Sequence, residues 1–213
     1  MAGCCDPRGC EQIFGAKFAR HVARKYRRRG LDAAAGRMVD FLAADGLSGA
    51  TVLEIGGGLG EIGVELLKRG ASRATTLELS SAYDDAALRL ASEAGVASRV
   101  ERQVTDVATS PDDVGPADLV VLHRVVCCYP DYERLLGAAA DHCRSRLAFS
   151  HPPRNLVSRG VLAAQNTAFR VMGREFRAFV HPPAAMVEVV VSRGMRLVTA
   201  QPGMVWQVKG LAR

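Results

Sequence analysis

The chain has 213 residues, 48% of them hydrophobic, with a formal net charge of +6. That length and composition fit one globular domain with a full core. No run approaches the roughly 20 apolar residues that cross a bilayer, so a helical membrane span is excluded.

At the N-terminus Ala2-Gly3-Cys4 mimics a lipoprotein cleavage box, but no apolar stretch precedes it. No signal peptide is read there, and the chain is expected in the cytoplasm. In that compartment its six cysteines are expected as free, metal-binding or reactive thiols, not disulfides. Residues 1–10 read as irregular. Glu11–Arg29 has the spacing of a basic helix, with Ile13, Phe14, Phe18, Val22 and Tyr26 near helical register. Lys17, Arg20, Arg24, Lys25 and Arg27–Arg29 crowd this segment. They suit an acidic small molecule or nucleic acid, or simply a solvated helix face. Few aromatics interleave them, which argues against a base-stacking surface. Gly30 ends the helix. Leu31–Ala44 reads as a second helix carrying Met38, Phe41 and Leu42 on one side.

From Thr51 apolar runs alternate with amphipathic stretches, which predicts a parallel sheet covered on both faces. The strands are Thr51–Ile55, Arg73–Leu79, Arg99–Val104, Asp118–Leu122 and Arg146–Ser150, with helices over Ser81–Glu93 and Asp131–His142 among them. Two long helical patterns follow, Asn155–Met172 and Ala184–Arg193, and then closing strands Met195–Ala200 and Val205–Gly210. The expected organisation is a single domain over residues 1–213. It has a tail and helices (1–45), a ligand-binding core (51–150), a helical insertion or lid (151–194) and closing strands (195–213). The fold class is α/β: a doubly wound, mostly parallel, seven-stranded Rossmann-like sheet with N-terminal helices and a helical lid after strand five.

The most informative segment is Thr51-Val-Leu-Glu54-Ile-Gly56-Gly-Gly58-Leu-Gly60. It reads as strand, tight turn, helix. Glycines there admit positive φ and a close ligand approach, and Glu54 gives the site a negative wall suited to an ammonium or sulfonium group. Gly58, Gly60 and Gly63 also spell G-x-G-x-x-G, but Gly56 and Gly57 already occupy the turn where that dinucleotide fingerprint should open. The second strand ends in Glu78-Leu79, roughly 20 residues on, where an acid accepts from ribose hydroxyls. The third ends at Asp106-Val107, and the fourth leads into His123-Arg-Val-Val-Cys127-Cys128-Tyr129-Pro130-Asp131.

Together these motifs resemble the class I S-adenosylmethionine-dependent methyltransferases, closely over residues 51–150 and more loosely to the end. The resemblance implies S-adenosylmethionine as cofactor, S-adenosylhomocysteine as product and a cofactor site of Tyr26, Glu54, Gly56, Gly58, Gly60, Glu78, Leu79, Asp106, Val107 and His123. Asp106 would receive the adenine amino group, and the next N–H would meet the ring. The base-methylating branch carries Asn/Asp-Pro-Pro-Tyr after strand four. His-Arg-Val-Val-Cys-Cys stands here, so nucleic acid is not expected as a partner. A looser likeness is to the magnesium-protoporphyrin O-methyltransferase group. It rests on the basic helix with Tyr26-Arg27, on Tyr129-Pro130 and on Phe179-Val180-His181. The His-Pro-Pro segments at 151–153 and 181–183 and the cysteine pairs depart from the porphyrin pattern.

Three histidines fall at ligand-side positions and are candidates for a base: His123, His151 and His181. The prolines after His151 and His181 equally suit turn-capping roles. Cys127, Cys128, Tyr129, His151 and His181 are the candidate acceptor-binding residues. No metal is assigned, although Cys4, Cys5, Cys10, Cys127 and Cys128 would suit a soft ion if they converged. The expected function is methyl transfer to a small, possibly anionic acceptor, with an acidic or phenolic oxygen favoured. The alternatives are a sulfur or metalloid acceptor held by the cysteines, and a non-catalytic cofactor-binding thiol or metal sensor. Oligomeric state, acceptor and acceptor atom are not encoded in these patterns.

Overall fold

A computed structural model describes residues 9–213. Cys4 and Cys5 lie outside the described residues. Seven strands form one sheet in the order β3-β2-β1-β4-β5-β7-β6. They are β1 Thr51–Ile55, β2 Arg73–Glu78, β3 Val100–Val104, β4 Ala117–Leu122, β5 Cys143–His151, β6 Arg196–Gln201 and β7 Gln207–Ala212. The first five are parallel, and β7 inserts antiparallel between β5 and β6.

Alternation along the central strands loads both faces. Leu53, Ile55, Val120, Leu122 and Phe149 pack on one side with Met186 and Val190. Val52, Leu119, Val121 and Ala148 pack on the other with Met38, Leu42, Ile62 and Leu66. This is the pattern a sheet buried on both faces requires. The helices that cover it are α3 Ala33–Leu42, α4 Glu61–Lys68, α5 Asp84–Glu93, α6 Tyr132–Asp141 and α8 Pro183–Val191. The chain order reverses between β1 and β4, and their starts are pinned: the Thr51 N–H and hydroxyl both donate to Asp118 Oδ2 at 2.8 Å, and the Asp118 N–H donates to the Thr51 hydroxyl oxygen at 3.0 Å.

Several element bounds differ from expectation. The first helix is two, α1 Cys10–Ile13 and α2 Ala16–Arg29, with Gly15 extended at φ −74°, ψ −176° as the N-cap of α2. Glycine's low helix propensity lets the chain break there, which continuous apolar spacing across the break conceals. Asp32 caps α3 by accepting from the Ala34 and Ala35 N–H groups. The helix read from Ser81 opens as a single 3₁₀ turn before α5. Strand β5 is longer than its apolar run because β4 pairs with it from Cys143 and β7 carries the pairing on to His151. The closing strands sit one or two residues later than read, since Pro202 and Gly203 fall in their connection.

Helix α7, Leu156–Val171, leaves the carboxyl end of β5, and none of its residues is buried. Among the described residues no helix is long and apolar enough to cross a membrane.

Candidate functional site

A cavity of about 450 Å³ opens at the carboxyl ends of β1, β2, β3 and β4, the place where ligands enter open α/β sheets. Its size suits a small-molecule site. The glycine turn forms its floor. Gly56 has φ 62° and Gly58 φ 58°. A Cβ on Gly56 would stand 2.5 Å from Val125 Cγ2, so the turn and the loop after β4 approach as only glycine allows.

Carboxylates converge on this floor. Glu54 is 1% exposed and accepts from the Gly63 N–H at 2.7 Å. Burial, reinforced by the charge of Glu61, pushes its carboxyl up to about 8. Burial likewise raises Glu61 to about 7, and its Oε2 is buried without a partner. Glu78 accepts from the Gly58 N–H and is raised by burial, against the pull of that bond and of Arg102. Asp106 accepts from the Tyr129 hydroxyl at 2.9 Å. Glu54, Glu61, Glu78 and Asp106 all line the cavity.

The opposite wall carries a directed chain of hydrogen bonds. His123 Nε2 lies 3.2 Å from Asp32 Oδ2, and Nδ1 lies 3.0 Å from Ser150 Oγ. Burial lowers the His123 imidazole against the pull of Asp32, which favours the neutral ring. Because an ionised carboxylate only accepts, Nε2 carries the proton and Nδ1 accepts from the Ser150 hydroxyl. Ser150 Oγ in turn accepts from the Arg124 N–H at 2.9 Å, and the Arg124 guanidinium reaches Asp32 Oδ2 at 2.5 Å. Arg124 is a non-glycine residue at positive φ, 62°, and its guanidinium sits over the Trp206 ring at 5.2 Å. Burial alone would raise the Asp32 carboxyl, but the His123 ring, the Ala35 N–H and the Arg124 guanidinium hold it well below the usual carboxylate range.

Of the residues singled out from the sequence, Glu54, Gly56, Gly58, Glu78, Leu79, Asp106, Val107, His123, Cys127, Cys128 and Tyr129 line this one cavity. Phe18 and Val22 of α2 join them. Gly60, Tyr26, His151 and His181 do not. Gly60 is the N-cap of α4 at φ 76°. The Tyr26 hydroxyl donates to Glu65 Oε1, which fixes the ring against the helix layer. His151 is 2% exposed, with Nδ1 on the Pro152 carbonyl at 2.9 Å. His181 Nε2 donates to the Tyr129 carbonyl at 2.9 Å, and the ring stacks on Phe179. Each ring is thus held by a backbone carbonyl, at the end of β5 for His151 and across to the loop after β4 for His181.

Missed residues include Glu61, hidden as an ordinary first-turn acid, and Asp32, Ser150 and Trp206, which reach the site from elements distant in sequence. Cys127 and Cys128 have their Sγ atoms 3.7 Å apart, and Cys10 lines the same cavity. Among the described residues no group of three or more His, Cys, Asp and Glu side chains could hold a metal ion.

The raised carboxyls make a pH prediction. A carboxyl whose folded pKa is raised stabilises the fold fully below its unfolded value, near 4.5, and loses that contribution as pH rises through the folded value. Glu54 and Glu61 therefore weaken the ligand-free protein between about pH 5 and 8. A cationic ligand favours their ionised forms. Affinity for a sulfonium ligand, relative to its neutral thioether counterpart, should rise roughly tenfold from pH 6 to 8.5. Calorimetry with S-adenosylmethionine and S-adenosylhomocysteine across that range checks it. A flat ratio contradicts it.

Residues 52–146 match the model of a methyltransferase domain. No curated protein matches the chain in sequence. Among solved structures, the magnesium protoporphyrin IX methyltransferase from Synechocystis PCC 6803 with bound SAH aligns with a TM-score of 0.69 at 20% identity, covering 96% of this chain and 93% of that one. An O-methyltransferase family protein from Burkholderia thailandensis gives 0.72 at 17% identity, covering 92% and 58%. A TehB-like SAM-dependent methyltransferase from Corynebacterium glutamicum gives 0.65 at 16%, covering 93% and 97%. At these identities the likeness is one of fold.

Proposed function

We propose that this chain, whose residues 52–146 match a methyltransferase domain, is an S-adenosylmethionine-dependent methyltransferase and that it methylates an oxygen of a small acidic or phenolic acceptor. The observation that carries the reading is the division of one cavity. Its floor is glycine turn and carboxylate, and its far wall is Arg124 with aromatic rings.

The residues present fit the cofactor. The turn at Gly56–Gly58 leaves no room for a side chain, and the partnerless Glu61 oxygen with Glu54 suits the positive methionine end. Glu78 would take the ribose hydroxyls, and Asp106 with the Val107 N–H the adenine. When bound, the cofactor supplies the methyl group and a neutral thioether leaving group. The chain's part is alignment and exclusion of water, which carry most of an in-line displacement. Arg124 would draw a carboxylate or phenolate toward the site, while Phe14, Phe18, Phe176 and Trp206 would wall an aromatic body. Helix α7 reaches the cavity through Leu162 and Gln165 and would act as its lid. A carboxylate acceptor needs no base. For a phenol, His123 is the one of the three candidate histidines placed on the cavity, and it would serve as base only by releasing Nδ1 from the Ser150 hydroxyl while Asp32 keeps the Nε2 proton.

A second reading has one observation in its favour. The adjacent Cys127 and Cys128 thiols on the cavity wall suit a sulfur or metalloid acceptor. The test is transfer of labelled methyl from S-adenosylmethionine to a panel of aromatic acids, phenols, thiols and arsenite, with the unaltered protein and the Cys127→Ser and Cys128→Ser variants. We expect turnover on an acidic or phenolic acceptor, changed less than about threefold by either serine, since a buried cysteine often serves only as a small apolar side chain. Loss of turnover in the serine variants supports the second reading. Cofactor binding with no product from any acceptor supports a non-catalytic sensor.

A further inference from the structure

Helix α7 is amphipathic with its apolar side outward. Leu156, Val157, Val161 and Val171 are 83, 73, 59 and 83% exposed, and Met172 at its end is 55% exposed. At 100° per residue these fall with Gly160, Ala164 and Ala168 in one sector about 160° wide. The sector holds no charged side chain, and its one polar residue, Thr167, turns its hydroxyl back to the Ala163 carbonyl. The opposite side is tied to the protein: Leu162 and Gln165 line the cavity, and Asn166 exchanges hydrogen bonds with the Ala178 backbone at 2.8 and 2.9 Å. Contiguous exposed apolar surface of this kind marks an interaction site.

Charge says what covers it. Residues 152–187 hold five arginines and a single acid, Glu175. Helix α2 holds seven lysines and arginines and no acid. Of those seven, only Arg27 makes an ion pair among the described residues, to Glu93. The two helices meet at the cavity mouth through a run of rings: Phe18 to Phe14 at 5.4 Å, Phe14 to Phe176 at 5.2 Å, and Phe176 to Phe169 at 5.9 Å. Phe18, itself 42% exposed, belongs to the basic helix α2. A symmetric contact with a second copy would set arginine against arginine across the same apolar sector. An anionic bilayer surface complements both features at once: acyl chains receive the apolar sector, and headgroups receive the cations.

We infer that α7 and α2 dock this protein on anionic membrane surfaces, with the mouth of its cavity beside the bilayer. Docking stands whichever acceptor is methylated. The consequence is that an amphiphilic acceptor can enter from the lipid side.

The test is flotation of the full chain with vesicles of phosphatidylcholine alone or mixed with phosphatidylglycerol, at about 0.1 M salt so that charge is only partly screened. Expected is recovery with the mixed vesicles and not with the neutral ones. The Leu156→Glu/Val161→Glu variant should lose at least about tenfold in partition, because it places charge in the acyl region. The Arg20→Glu/Arg24→Glu variant should lose a similar factor. Both should keep their melting temperature and their affinity for S-adenosylhomocysteine. If the glutamates destabilise the helix, Leu156→Gln/Val157→Gln asks the same question without charge. The inference is overturned if the unaltered protein fails to float with mixed vesicles. It is overturned equally if the Leu156 variants partition unchanged. A dimer seen by sedimentation velocity that these variants abolish, with no vesicle binding, would assign the face to a second copy and also overturn it.

Discussion

Gly56→Val should abolish cofactor binding, weakening S-adenosylhomocysteine affinity at least about 100-fold, or about 3 kcal/mol. Two effects act together. The new Cβ would stand 2.5 Å from Val125 Cγ2, with Cγ1 at 3.0 Å, so the loop after β4 must move and the cavity floor with it. A β-branched residue at φ 62° also costs about 1–3 kcal/mol in backbone strain. Gly46→Ala is the control. Gly46 has φ 88° with no neighbour within 4 Å of a built Cβ, so it should cost about 1 kcal/mol of stability and leave binding intact. Calorimetry and thermal melts on both variants separate the two. Binding within threefold of the unaltered protein in Gly56→Val would show that the turn is not the cofactor floor.

Asp32→Ala should cost about 2–4 kcal/mol of stability and impair turnover. Its carboxylate caps α3 through Ala34 and Ala35, a role worth about 1 kcal/mol. It also receives the His123 Nε2–H and the Arg124 guanidinium. Arg124 is 41% exposed at its side chain, so screening discounts its share. His123 is 8% exposed, and the bond from its ring to the carboxylate carries more. Asp32→Asn separates the roles, since asparagine caps as well as aspartate but brings no charge. The asparagine variant should recover much of the alanine variant's melting temperature while its turnover stays low. Full activity in Asp32→Asn would remove the charge from the mechanism and leave only the cap.

The parallel core was legible because its signals are local. An apolar run ending at Glu54, glycines at 56, 57, 58 and 60, and acids at 78 and 106 each announce a strand end, and strand ends in a parallel sheet share one edge. Asp32 and Ser150 were illegible for the opposite reason. Asp32 reads as one more residue of the helix opening at Leu31, and only the α3–β1–β4–β5 arrangement brings it 3.2 Å from His123, 91 positions away. Tyr26 misled because helical spacing assigns a face and not a neighbour. Its face meets Glu65, whereas Phe18 and Val22 on the same helix reach the cavity. His151 and His181 each bond a backbone carbonyl, of Pro152 and of Tyr129, and the second of these partners is 52 positions away and invisible to local spacing.

The pinning of Thr51 to Asp118 bears on how the crevice yields. The seam between β1 and β4 is clamped at the amino ends of both strands and bears the ligand site at their carboxyl ends. A wedge pushed in at the open end meets two lever arms with a fixed fulcrum about 15 Å behind it, five residues of extended strand away. The clamp fixes the register of the two strands from behind, so whatever enters at their carboxyl ends meets the glycine turn on one arm and residues 123–129 on the other at a set separation. The sheet is the rigid frame of a pair of tweezers, and the clamp sets the gauge of its jaws.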